Sequence, residues 1–98
     1  MSHLHALLGP GTVTATGELD LVSAPTLTDA ITTVAARWAN VTLDLSAVTF
    51  MDGAGLSVLV GARRRMLADG TPLRLRTPHE RVRHVLRLTN LETAFTIV

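Results

Sequence analysis

The chain contains no cysteine, which excludes disulfide staples, thiolate zinc sites and cysteine nucleophiles together. It also lacks lysine and tyrosine. All nine basic residues are arginine, set against eight acidic ones. A formal net charge of +1 gives almost no non-specific attraction to nucleic acid. The sequence pI of about 9.1 overstates the basicity, because few groups titrate just above neutral pH. The three aromatics, Trp38, Phe50 and Phe95, are too few for a base-stacking platform, so no nucleic-acid partner is expected. No apolar run approaches the roughly 20 residues that cross a bilayer, and no direct membrane contact is expected. The opening MSHLHALLGPG has no basic region and too short an apolar stretch for a secretory signal, so the expected compartment is the cytoplasm. What remains is 98 residues, 47% hydrophobic and 17% charged. That composition supports one core, and a single domain over residues 1–98.

Short β-like runs alternate with amphipathic ones. Leu4 to Leu8 is apolar and strand-like, Gly9-Pro10-Gly11 marks a turn, and Thr12 to Thr16 alternates with β-branched residues, so the two runs read as a hairpin. Ser23 is the expected N-cap of a first helix, with Pro25 in its first turn, where a missing N–H costs nothing. Leu27, Ala30, Ile31, Val34, Ala35 and Trp38 follow the spacing of one helix face and predict a helix over 24–38. Val41, Leu43 and Leu45 alternate with polar residues as a third strand over 41–46. Residues 50–56, FMDGAGL, read as a loop leading into a second helix. That helix buries Leu56, Leu59, Val60 and Leu67, and Asp69-Gly70 closes it. Leu73 to Arg76 is a short alternating strand. Thr77-Pro78-His79-Glu80 fits a capping box for a third helix with Val82, Val85 and Leu86 inside, and Thr96 to Val98 is a terminal β-run.

The resulting order, β-β-α-β-α-β-α-β, defines an α/β fold. Strands joined by single helices run parallel, and the opening hairpin adds an antiparallel edge, giving a mixed, mostly parallel sheet with three amphipathic helices.

Read residue by residue, the segment after the third strand is modest in its claims. Asp52 is a good N-cap for the second helix with no further chemistry attached. Gly53 and Gly55 serve backbone conformation or close approach. Gly-Ala-Gly is not a phosphate-cradling loop, because it lacks the G-x-x-x-x-G-K pattern. Arg63-Arg64-Arg65 reads as a solvated helix face. His3 and His5 lack a third ligand, while His79 and His84 do not share a helix face, so no metal site is expected. No nucleophile, base and orienting group stand at catalytic spacing, and neither an enzyme nor a cofactor is expected.

Taken whole, residues 44–61, DLSAVTFMDGAGLSVLVG, resemble the signature of the STAS domain family, close to D-L-S-x-V-x-F-x-D-S-x-G-L. Asp44, Leu45, Ser46, Val48, Phe50, Asp52, Gly55 and Leu56 match in register. Gly17-Glu18-Leu19-Asp20 with Ser23-Ala24-Pro25 resembles the family's segment before its first helix, and the resemblance extends over nearly the whole chain. It implies an anti-sigma factor antagonist. In such proteins a Ser directly after the loop Asp is phosphorylated by a kinase-like anti-sigma factor, and the phosphate blocks docking through charge and bulk. The unphosphorylated domain binds the anti-sigma factor and so releases the sigma factor. The partner-binding surface this implies centres on Asp52, Gly53, Ala54, Ser57 and Arg64, with Glu18, Asp20 and Ser23 beside it.

The chain departs from the family at the hydroxyl itself. The phosphoacceptor position is Gly53, followed by Ala54. Ser57, Ser46 and Thr49 are the other hydroxyls nearby, and Ser57 lies about one helical turn further on, some 5–6 Å away. The expected protein is therefore an antagonist without the usual switch. The alternative is a STAS accessory subunit of a membrane-transport ATPase complex of the phospholipid type. The sequence leaves the oligomeric state open.

Overall fold

Alternating apolar and polar residues in the strand segments require a sheet with one covered face. The computed structural model, which describes residues 3–76 and 79–98, has that sheet. The chain runs β1 (Leu4–Gly9), β2 (Thr12–Leu19), α1 (Ala24–Ala35), β3 (Val41–Met51), α2 (Gly53–Asp69), β4 (Leu73–Arg76), α3 (Glu80–Leu88) and β5 (Thr96–Ile97), with a single 3-10 turn at Glu92–Ala94 before the last strand. The five strands lie in the order β1-β2-β3-β4-β5. β1 pairs antiparallel to β2 through the Pro10-Gly11 turn, and the remaining pairs are parallel. The expected α/β class, the mixed sheet and the three helices are all present.

Val13, Leu43 and Leu75 form one row across three strands and are each fully buried. Thr14, Asp44 and Arg76 form the next row, on the uncovered face. Because only one sheet face is buried, all three helices pack on that face. Leu27, Ile31 and Val34 of α1, Leu59, Ala62 and Met66 of α2, and Val82 and Leu86 of α3 complete a single core with the strand residues. Each fully buried Leu, Ile or Val contributes roughly 1.5–3 kcal/mol, so burial of this face drives the fold.

Several boundaries differ from the sequence reading, each for a physical reason. β2 continues past Thr16 to Leu19 because its parallel pairing with β3 resumes after irregularities between Thr14 and Thr16 and between Gly17 and Glu18. Gly17 makes the continuation feasible. Its φ is +117°, and a Cβ there would overlap the carbonyl oxygen of His3. β3 likewise runs to Met51, so the expected loop over 50–56 shrinks to Asp52 alone, with Gly53 already helical.

α1 stops at Ala35 rather than Trp38. The amide of Arg37 turns to Val34 O at 3.1 Å as the chain tightens towards β3, and Trp38, 46% exposed, borders a hollow with Leu8 and Pro10 near the hairpin turn. Leu67 is 63% exposed, contrary to expectation, because the buried stripe of α2 is Gly55, Leu59, Ala62 and Met66, and Met66 takes the inward position at that turn. The expected capping box begins at Thr77-Pro78, which lie outside the described residues; α3 starts at Glu80, where the His79 ring accepts from the Arg81 amide at 3.1 Å. At the far end of this helix Arg87 pairs with Glu80 and holds its carboxyl below the usual range. The pair is exposed and adds little to stability. Among the described residues, no helix is long and apolar enough to cross a membrane.

Candidate functional site

Parallel pairing fixes where β2 and β3 end. Leu19 is in register with Met51, and the residue following each is an aspartate, Asp20 or Asp52. The amide of Asp52 donates to the Leu19 carbonyl at 3.3 Å, which ties the two chain exits together at one end of the sheet.

Each aspartate then organises the turn that follows it. Asp52 Oδ1 accepts from the Gly55 amide at 3.0 Å, which satisfies one of the unpaired donors at the start of α2. Asp20 Oδ1 accepts from the amides of Val22 and Ser23, both at 3.0 Å, in an Asx turn. Ser23 is buried and turned backwards. Its Oγ donates to the Glu18 carbonyl at 2.7 Å and accepts from the Asp20 amide at 3.0 Å. It occupies the N-cap position of α1 without making a side-chain cap bond, which corrects the capping role read from the sequence. The hydroxyl stiffens the β2–α1 turn instead.

The two glycines of Gly53-Ala54-Gly55 have different reasons to be there. A Cβ on Gly55 would lie 2.6 Å from the Leu19 carbonyl oxygen and 2.8 Å from both Leu19 Cγ and Met51 Cγ, so α2 starts in direct backbone contact with the sheet. At Gly53 a Cβ would meet nothing within 4 Å, and the residue is helical and exposed. The first position of α2 has room for a side chain and no conformational need for glycine.

Gly53, Ser57 and Arg64 recur at spacings of four and seven, so they share one outward face of α2, with Ala54 half-buried beside them. Ser57 Oγ donates to the Gly53 carbonyl at 3.0 Å. The other two nearby hydroxyls point elsewhere. Ser46 donates to Asp44 Oδ1 at 2.7 Å, five residues back from Met51 and so about 16 Å along the strand. Thr49 Oγ1 lies 3.5 Å from the Gly17 carbonyl. Thus Asp52, Gly53, Ala54 and Ser57 gather at the sheet end with Asp20, half-buried Glu18 lies just inside it, Arg64 extends the same helix face, and Ser46 lies apart.

The sequence reading missed two residues of this region. Leu21 and Val22, at the tip of the β2–α1 turn, are each 76% exposed. They are presented by a turn in which Asp20 binds the Val22 and Ser23 amides, so the backbone that carries them is ordered. The signal was present in the Asp20 to Ser23 segment, but only the Asx turn shows that the two apolar residues between them face outwards. Among the described residues, no cluster of three or more His, Cys, Asp or Glu side chains could hold a metal ion.

This fold is that of the STAS domain, whose family profile matches residues 4–98; the chain belongs to that family. Among its relatives is an anti-sigma-B factor antagonist of Bacillus subtilis (strain 168), 32% identical over 85 residues that span 87% of this chain and 78% of that protein. The crystal structure of an anti-sigma factor antagonist from Mycobacterium paratuberculosis superimposes with a TM-score of 0.76 at 29% identity, covering 99% of this chain and 85% of the other. The phosphorylated form of the Bacillus cell fate determinant SpoIIAA shares the fold at 20% identity, with a TM-score of 0.67 over 100% of this chain and 91% of its own. By homology the chain is a member of the anti-sigma factor antagonist group.

Proposed function

We propose that this protein binds an anti-sigma factor through the start of α2 and the adjoining β2–α1 turn, frees a sigma factor by doing so, and lacks phosphorylation at the family position as a switch. The observation that carries the reading is the first position of α2. It is exposed, capped by Asp52, aligned with Ser57 and Arg64, and occupied by a residue without a hydroxyl. A helix start favours negative charge, and a phosphate there would add about −1.5 to −2 charges to the docking face. With Gly53 in place that charge cannot arise at this residue, so docking is constitutive and set by the protein's abundance. Leu21 and Val22 support the same surface: apolar side chains carried on a backbone turn already ordered by Asp20 act as anchors with less ordering cost on binding.

The test is Ser57→Arg, a bulky charge on an exposed position of this face. Calorimetric titration against the cognate anti-sigma factor should show at least a tenfold loss of affinity with an unchanged thermal midpoint. Affinity within about threefold of wild type, roughly 0.7 kcal/mol, would place the interface elsewhere.

A further inference from the structure

At the opposite end of the sheet from Asp52, a hollow of about 490 Å³ lies between the last turns of α2, the start of β4 and the 3-10 turn before β5. Its apolar wall includes Met66 and Phe95, which are 4% and 7% exposed, and half-buried Leu73, while Leu67 stands at its side, 63% exposed. Leu67 is the side chain that helix periodicity alone assigns to the core. Nothing in the docking surface described above uses it.

Two arginines, Arg63 and Arg74, belong to the same lining, and none of the lining residues is acidic. Arg63 is held in place, with its Nε donating to the Ala94 carbonyl at 2.8 Å. No carboxylate among the described residues pairs with it. The terminal nitrogens of a guanidinium oriented through Nε remain as donors, and they suit a carboxylate.

We propose that this hollow is a binding site for an amphipathic monocarboxylate of medium chain length. The alkyl chain lies along half-buried Leu73 and exposed Leu67, over the edges of Met66 and Phe95, and the carboxylate pairs with Arg63. Each part of the lining selects against other occupants. A bare inorganic anion would leave the apolar wall uncovered. A neutral hydrocarbon would leave the guanidinium without a counter-charge. A second copy of the chain seated through the same face would bring like-charged arginines together. The volume lies within the range of about 300–1,000 Å³ typical of small-molecule sites, and the combination of apolar wall and few fixed polar groups is what such sites use for orientation. The proposal is independent of the anti-sigma factor reading, since it rests on the other end of α2.

The test is a titration of the isotopically labelled chain with sodium octanoate, followed by amide shifts. A ligand of about ten non-hydrogen atoms should saturate the site on the order of 1 mM. Shifts should be confined to Arg63–Arg74 and Ala94–Thr96, with octan-1-ol and octylammonium binding at least about tenfold more weakly. Leu67→Glu changes an exposed residue and places a negative charge at the site, so it should weaken octanoate at least about tenfold while the thermal midpoint is unchanged. Arg63→Met should do the same, and the rim variant keeps the test decisive if loss of the Ala94 bond disturbs folding. Shifts that fail to saturate, equal binding of octylammonium, or an unaltered affinity in Leu67→Glu would each overturn the site.

Discussion

Gly55 and Leu19 meet without a side chain between them: a Cβ on Gly55 would stand 2.6 Å from the Leu19 carbonyl oxygen. That oxygen also accepts the Asp52 amide, so one carbonyl fixes both the cap and the approach of α2 to the sheet. Gly55→Ala must therefore push the helix start away from the strand. The expected cost is about 1–3 kcal/mol of overpacking, read as a lower urea midpoint with an unchanged slope. Gly53→Ala, two residues earlier, meets open space and should be neutral or stabilising by about 0.4–1 kcal/mol, because it restricts the unfolded chain. Equal effects of the two substitutions would contradict the close approach at Gly55.

Leu43 tests the core in the same way. It sits in the middle of β3, fully buried between Val13 and Leu75. Leu43→Asp places an unpaired carboxylate in that row at a cost of several kcal/mol, comparable with the whole stability of a small domain. The variant should be insoluble or should lose its cooperative thermal transition. A soluble protein with the wild-type midpoint would refute the strand's place at the centre.

The period-2 and helical patterns made the sheet and its covered face legible from the sequence, since Val41, Leu43, Leu45, Leu27, Ile31 and Leu59 are all buried where those patterns put them. Asp52 was legible too, because a cap needs only local chemistry. Features set by tertiary contact were not. Gly17-Glu18 has the composition of a turn, and only pairing with β3 and an allowed positive φ keep it in a strand. The choice between Met66 and Leu67 for the inward position depends on a rotation of α2 of a fraction of a turn, which the sheet decides. The difference between Gly53 and Gly55 lies wholly in what stands opposite them.

The exposed pair at the β2–α1 tip yields a prediction that separates anchoring from charge. Leu21→Ser combined with Val22→Ser removes two side chains that are each 76% exposed and leaves the Val22 and Ser23 amides bound to Asp20, so stability should be within about 0.5 kcal/mol of wild type. Affinity for the anti-sigma factor should fall by at least tenfold, with little change in salt dependence, because apolar burial rather than charge is lost. An unchanged affinity would remove this turn from the interface.

Regulation gives the sharpest test, because it depends on one atom group. Gly53 cannot accept a phosphoryl group, and the remaining nearby hydroxyls stand away from that position: Ser57 about one helical turn further on, Ser46 beside Asp44 and Thr49 3.5 Å from the Gly17 carbonyl. Wild-type chain incubated with its anti-sigma factor and ATP should therefore keep its intact mass. Gly53→Ser puts a hydroxyl at the first helical position, where a Cβ meets nothing within 4 Å, so the variant should fold as the wild type does. With a partner that has retained kinase activity, the variant should gain about 80 Da and lose affinity as the added charge enters the docking face. With a partner that has lost that activity, it should bind as the wild type does. A mass gain of about 80 Da on the wild-type chain would overturn the claim of constitutive docking, and peptide mapping would then assign the phosphate among Ser57, Ser46 and Thr49, where the same charge argument would apply.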